Sequence, residues 1–261
     1  MATIVALSKE KHASSFLSEL TDLQAYKNQS TLPVYGAEIS RLALNFPLAF
    51  IKQGDSYGLH ILCSYSPDFP NAWITPEGKW LGHYIPAIIR QSPFTVIPND
   101  DGNPIVCVDQ DSSRLGDTGN PLFEEGKTTE FLSGIIKFLE QLYLNGIATQ
   151  KAIDLMASFD LMVPWELKVR TSDEKETTVE GVFRADENKL NELDDEQWLA
   201  LRKVGAMPLL YGQLLSMGHI AKMQEILQSK INRLSESANA AENLDAFFGE
   251  DEDDTLDFGA I

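Results

Sequence analysis

No run of eighteen or more apolar residues occurs in the chain, so no membrane-spanning helix is expected. The first residues, Met1-Ala-Thr-Ile-Val-Ala-Leu-Ser-Lys-Glu10, lack the basic and apolar regions of a secretory signal. Cysteine is scarce: Cys63 and Cys107 are far apart and each sits among apolar neighbours, which suits buried reduced thiols better than a disulfide framework. A cytoplasmic protein is the expectation. Positive charge is also in short supply, with 21 Lys and Arg against 39 Asp and Glu, a net charge of −18. With no basic patch in sequence order, neither nucleic acid nor an anionic lipid surface is an expected partner. Walker A loops, Gly-rich dinucleotide turns, nucleophile elbows, Cys-x-x-Cys pairs and zinc-protease helices are all missing, so no cofactor is assigned and the common hydrolase and redox readings lack support.

What is present is a chain of 261 residues, 43% hydrophobic, long enough to bury a substantial core. No repeat and no Pro-rich or Ser-rich linker divides residues 1–235, which are read as one domain. Beyond them, residues 236–261 read as a disordered acidic tail, too polar to offset their ordering entropy. After Arg233, the last basic residue, come Glu236, Glu242, Asp245, Glu250, Asp251, Glu252, Asp253, Asp254 and Asp257. Phe247, Phe248, Leu256, Phe258 and Ile261 put apolar anchors around that acidic run, the composition of a segment that docks on a protein partner. The plain alternative is a solubilising tail.

The first half reads as short strands. Apolar runs at 42–51 and 57–65 flank Gly54-Asp55 as a hairpin, with Pro47 making the first an edge strand or a broken one. Runs at 94–98 and 104–109 form another pair across Asn99-Asp-Asp-Gly102, and 72–75 meets the turn Pro76-Glu-Gly78. From Thr128 the period becomes helical, with Phe131, Ile135, Phe138, Leu139 and Leu142 in one stripe that Asn145-Gly146 is expected to stop. A second helix is expected to start at Thr149 as N-cap, followed by a hairpin from Glu166 to Arg184. Asp194 can cap a short helix ending at Gly205, and Pro208 suits the first turn of a final one. Strands and helices are segregated, which predicts an α+β fold: a mostly antiparallel sheet from the N-terminal half packed against C-terminal helices.

The block Trp80-Leu-Gly-His-Tyr-Ile-Pro-Ala-Ile-Ile-Arg90-Gln-Ser-Pro-Phe94 is the most distinctive stretch. With Asn45-Phe-Pro-Leu-Ala-Phe50, Cys107-Val-Asp-Gln-Asp-Ser112, Asn120-Pro-Leu-Phe123, Pro164-Trp165, Phe183-Arg-Ala-Asp-Glu187 and Leu209-Leu-Tyr-Gly-Gln-Leu-Leu-Ser216, it resembles the SapC family. Gln91-Ser92 departs from that pattern, where a basic and an aromatic residue are expected, and so does Gly212-Gln213, where Ala-His is usual. The resemblance implies a bacterial protein whose family name comes from an S-layer-associated protein. It also implies gene neighbourhoods with flavin-dependent tryptophan-halogenase-like enzymes and TonB receptors, and no established catalytic residues.

Trp80, His83, Tyr84 and Arg90 combine stacking surfaces with hydrogen-bond donors able to take an aromatic or carboxylate ligand. The same residues would equally make a sheet-to-helix corner, with Trp80 and Tyr84 in the core and Arg90 paired to an acid. Asp109 and Asp111, with Glu124 and Glu125, could gather oxygens around a hard cation, or could simply satisfy a turn. Asp117-Thr-Gly119 spells an aspartic-protease motif but occurs once, beside Asn-Pro, as a turn would. His12, His60, His83 and His219 lack metal-ligand spacing. These readings lead to a non-enzymatic cytoplasmic accessory or interaction protein, and the family resemblance implies a halogenase-like or TonB-receptor-linked pathway for it. The alternative is an enzyme or ligand-binding protein acting on amino acids or peptides through residues 80–111. A convergence of Arg90, His83, Asp109 and Asp111 in one cleft would favour the enzyme.

Overall fold

The computed structural model describes residues 3–99, 101–170 and 176–248, and side chains of all of these except 169, 170, 176–178 and 237–248. The principal strands are β1 (Ile4–Ala6), β2 (Thr31–Pro33), β3 (Leu48–Gln53), β4 (Ser56–Leu62), β5 (Phe94–Pro98), β6 (Pro104–Asp109), β7 (Met162–Pro164) and β8 (Val182–Ala185). The principal helices are α1 (Ile39–Leu42), α2 (Ala87–Arg90), α3 (Glu130–Ser158), α4 (Asp195–Lys203), α5 (Ala206–Ser216) and α6 (Ile220–Phe248). The fold is α+β with antiparallel sheets, as the segregation of patterns predicts. None of the helices is long and apolar enough to cross a membrane, among the described residues.

Two sheets organise the chain. The larger has the order β7-β8-β3-β4-β2, antiparallel throughout, and the smaller the order β1-β6-β5. β3 is therefore a central strand rather than an edge. Pro47 is harmless because it lies just before Leu48, where it need donate nothing, and its carbonyl accepts from the Leu62 N–H at 2.9 Å. The β3–β4 hairpin turns through Gly54 at φ 62°, a left-handed conformation that costs glycine little.

Each sheet has its own hydrophobic core, and α3 spans both. Leu132 and Leu139 pack with Phe94 and Val108 of the smaller sheet and with Leu122 outside it, while Ala152, Ile153 and Met156 pack with Phe50, Leu59 and Ile61 on the larger. Thr129 caps the start of α3, its hydroxyl accepting from the Leu132 N–H at 3.1 Å. The helix does not stop at Asn145-Gly146, and Thr149 is not an N-cap but a buried residue in mid-helix. Tertiary contacts override the local stop signal. Asn145 Oδ1 accepts from the Ala37 N–H (3.0 Å), Thr149 Oγ1 accepts from the Gly36 N–H (2.9 Å) and donates to the Asn145 carbonyl (2.7 Å). Gly146 leaves room for the Tyr35 ring, which a Cβ there would meet at 3.3 Å.

The C-terminal helices close the larger core. Asp194 and Gln197 form a reciprocal capping box at the start of α4, and Gly205, at φ 74°, reverses the chain into α5. A single 3₁₀ turn, Met217–His219, breaks what periodicity suggests is one helix into α5 and α6. Gly212 lets α5 lie directly on α1, since a Cβ there would stand 2.5 Å from Ile39 Cγ1. The fully buried Gln213 then joins two strands, accepting from the Ala185 N–H (2.9 Å) and donating to the Leu48 carbonyl (3.1 Å). On α6, Met223 and Leu227 are buried, and Lys230 Nζ donates to the carbonyls of Asn71 (2.7 Å) and Ile74.

Candidate functional site

The Trp80–Arg90 block folds as a corner laid over Phe46 and Glu38. Trp80 packs on Phe46 with ring centroids 5.4 Å apart and donates from Nε1 to the Tyr84 carbonyl at 2.9 Å. Gly82 is required by this packing, because a Cβ would stand 2.7 Å from Trp80 Nε1. Pro86 then sets the entry to α2, whose first N–H, on Ala87, donates to Glu38 Oε1 at 2.7 Å.

Glu38 is the residue that sequence reading misses. It is buried to within 5% of full enclosure, and its Oε1 also accepts from the Tyr84 hydroxyl at 2.6 Å. The Tyr84 oxygen in turn accepts from Arg90 Nη2 at 2.7 Å, and Arg90 lies 3.5 Å from Glu38 Oε1. Burial raises the Tyr84 phenol above its ordinary pKa, and the Glu38 carboxylate raises it further. Glu38 Oε2 is buried and has no hydrogen-bond partner among the described residues. No local pattern marks Glu38 in the sequence; the only available signal was an acid within an otherwise apolar stretch before Ile39.

Arg90 is held on several sides yet stays partly open. Its Nε donates to the Ile85 carbonyl at 3.0 Å, and its guanidinium stacks over the Tyr84 ring (5.2 Å) and the Phe138 ring (5.0 Å). Nη1 is left without a protein hydrogen bond among the described residues, and the side chain is 39% exposed. Arg41 covers the other approach to Tyr84, at 5.1 Å from the ring centroid. His83 is exposed beside them.

Beyond this corner, from Gln91 onward, a cleft of about 350 Å³ opens between β5, α3 and the loop at Tyr35, lined by Tyr35, Gln91, Thr95, Leu139, Tyr143 and Gln150 among others. The volume falls in the range of small-ligand pockets, and its lining mixes apolar walls with amide and phenol groups. Gln91 follows Arg90 in the chain, and Phe138, under the Arg90 guanidinium, precedes Leu139. Gln91, expected from the resemblance to be a departure from the family pattern, lies in the cleft wall. The other expected departure, Gly212-Gln213, lies in the packing of α5, with Gln213 fully buried.

Asp109 and Asp111 have different business. Asp109 Oδ1 accepts from the N–H groups of Thr3 and Asp111, each at 3.1 Å, and Asp111 Oδ2 accepts from the Thr3 hydroxyl at 2.7 Å. They fasten the start of β1 to the end of β6 and share no hydrogen bond with Arg90 or His83. No group of three or more His, Cys, Asp or Glu stands close enough to hold a metal, among the described residues. Glu124 and Glu125 lie at a separate two-residue hairpin, and Asp117 is exposed. Of the other histidines, His12 and His60 are buried and His219 donates from Nε2 to the Ala43 carbonyl, 3.1 Å away. The tail positions Leu256, Phe258 and Ile261, and the side chains of Phe247 and Phe248, lie outside the described residues.

An α+β chain with two principal antiparallel sheets bridged by one long helix, and an arginine-bearing corner followed by a cleft between that helix and β5, is the class that fold and site define. The chain belongs to the SapC family, whose model matches residues 7–223. No curated protein and no solved structure matches it.

Proposed function

We propose that this protein works by binding: a non-catalytic cytoplasmic accessory protein whose 80–95 region recognises a small amino-acid-like ligand, and whose acidic C-terminal segment engages a protein partner. The observation that carries the first part is Arg90. Its guanidinium is fixed by Glu38, Tyr84 and the Ile85 carbonyl, while Nη1 has no protein hydrogen bond among the described residues and Gln91, the next residue in the chain, lines the cleft. A pre-positioned guanidinium suits a carboxylate, and its orientation has been set before the ligand arrives. The cleft supplies apolar wall from Leu139 and Leu142 and polar tips from Tyr35, Gln91, Tyr143 and Gln150 for the remainder of the molecule. The family's implied neighbourhood with tryptophan-halogenase-like enzymes suits an amino-acid-like ligand.

The test is calorimetric titration of the full chain with free aromatic amino acids and with their des-amino carboxylic acids. Binding that weakens about 10-fold or more in Arg90→Gln supports the reading, since a charge-assisted hydrogen bond is worth about 1.5–3 kcal/mol. Unchanged binding in Arg90→Gln, or none in the native chain, removes it.

A further inference from the structure

One surface of this acidic protein sets two guanidinium groups beside apolar side chains. Arg41 and Arg90 both face the Tyr84 ring, and Glu38 is the one carboxylate within ion-pair distance of either guanidinium among the described residues. Glu38 can neutralise one of the two. Three residues beyond Arg41, Leu44 is 75% exposed, and across the α1–α5 contact made at Gly212 stand Tyr211 (42% exposed) and Leu215 (78%). Tyr211 and Leu215 are four apart on α5, hence on one stripe. Leucines this open, next to cations, form a surface for an acidic segment with apolar anchors.

The chain itself contains such a segment. From Glu250 to Ile261 it carries Glu250, Asp251, Glu252, Asp253, Asp254 and Asp257, with Leu256, Phe258 and Ile261 as anchors. Geometry decides which copy receives it. α6 begins beside the surface, where His219 meets the Ala43 carbonyl at 3.1 Å, and runs for 29 residues to Phe248. At about 1.5 Å per residue the helix ends roughly 43 Å from its start. The ten residues from Phe248 to Phe258 span at most about 36 Å when fully extended, short of the return distance; Ile261, three residues on, reaches about 47 Å only with every residue stretched, so Leu256 and Phe258 cannot return together with it. A neighbouring molecule's surface has no such constraint. The net charge of −18 opposes association, but at physiological salt its repulsion is screened beyond about 8 Å, whereas contacts at the surface are not.

We infer that the C-terminal segment docks in trans on the Arg41, Leu44, Tyr211 and Leu215 surface of a second copy of this chain. The inference rests on the reading that the C-terminal segment is a docking element, and it names the partner.

Sedimentation velocity of three full-length proteins tests it: the native chain, Arg41→Glu, and Leu256→Ser/Phe258→Ser. The native chain is expected to show a weight-average mass that climbs above the 29.0 kDa of one chain as concentration rises. Each variant alone should stay at the mass of one chain. Mixed in equal amounts, the two variants should regain a dimer, because one retains a working segment and the other a working surface. That recovery cannot come from a misfolded protein. A native chain that stays monomeric, variants that associate like the native chain, or a mixture that stays monomeric would each overturn the inference. If the segment instead captures a different protein while the native chain is monomeric, docking survives and the second-copy assignment falls.

Discussion

The Tyr84 hydroxyl and Glu38 Oε1 are 2.6 Å apart, a short contact between a half-buried phenol and a buried carboxylate 46 positions away in the chain. Through it the Trp80–Arg90 corner is tied to the turn before α1, and Arg90 is aimed by the same two groups.

Removing parts of this network should cost stability in a graded way. Tyr84→Phe loses two charge-assisted hydrogen bonds, one to Glu38 and one from the part-exposed Arg90, and should lower unfolding free energy by about 1–3 kcal/mol. Glu38→Ala should cost more, about 3–5 kcal/mol, because it strands the Ala87 N–H and the Tyr84 hydroxyl together. Urea unfolding of the two variants checks the order; equal losses would show that Glu38 is not the hub.

A second prediction concerns the long helix. Thr149→Val keeps shape and helical propensity nearly constant but removes the acceptor for the Gly36 N–H. A loss of about 1–3 kcal/mol is expected. A neutral effect would mean that the α3 contact with residues 35–37 is incidental.

Gln213→Leu should be among the most damaging single changes in α5. It leaves the Ala185 N–H and Leu48 carbonyl unpaired in a fully enclosed site, a loss of about 2–4 kcal/mol in chemical denaturation. Retention of native stability would contradict the bridging role.

The pH dependence has a defined sign. His60 is buried, and burial lowers its pKa from 6.5 to about 4. The ring lies 3.2 Å from Thr31 Oγ1 and is neutral in the folded protein at pH 6. The unfolded chain therefore binds the proton first as pH falls. Stability is full above pH 6.5 and declines toward pH 4, by up to about 3 kcal/mol from this group. His60→Gln should flatten the decline over that window when unfolding is followed from pH 7 to about pH 4. An unchanged slope would assign the effect to other groups.

How far the sequence discloses this molecule follows the range of the interactions. The β5–β6 hairpin was legible residue for residue because period and turn agree: the paired strands are Phe94–Pro98 and Pro104–Asp109. Asp194 announced its cap, since capping acts within three residues. Where local and distant forces disagree, the distant ones prevail: Asn145-Gly146 reads as a stop, yet residues 35–37 recruit it as a docking point within α3. Pro47 misleads for the converse reason, lying one residue outside the strand it seems to break. At the site, Trp80, Tyr84 and Arg90 stand out by type and spacing. Glu38 does not, because its role comes from a fold that brings it to Tyr84 and Ala87.

The most direct test of the binding account is calorimetry of the full chain against L-tryptophan and L-phenylalanine, run in parallel with Arg90→Gln and with Thr95→Trp, which fills the cleft. The account predicts saturable binding by the native chain that weakens about 10-fold or more in Arg90→Gln and is lost in Thr95→Trp, with both variants still folded. Binding indifferent to both substitutions, or no heat from any amino acid offered, would contradict it.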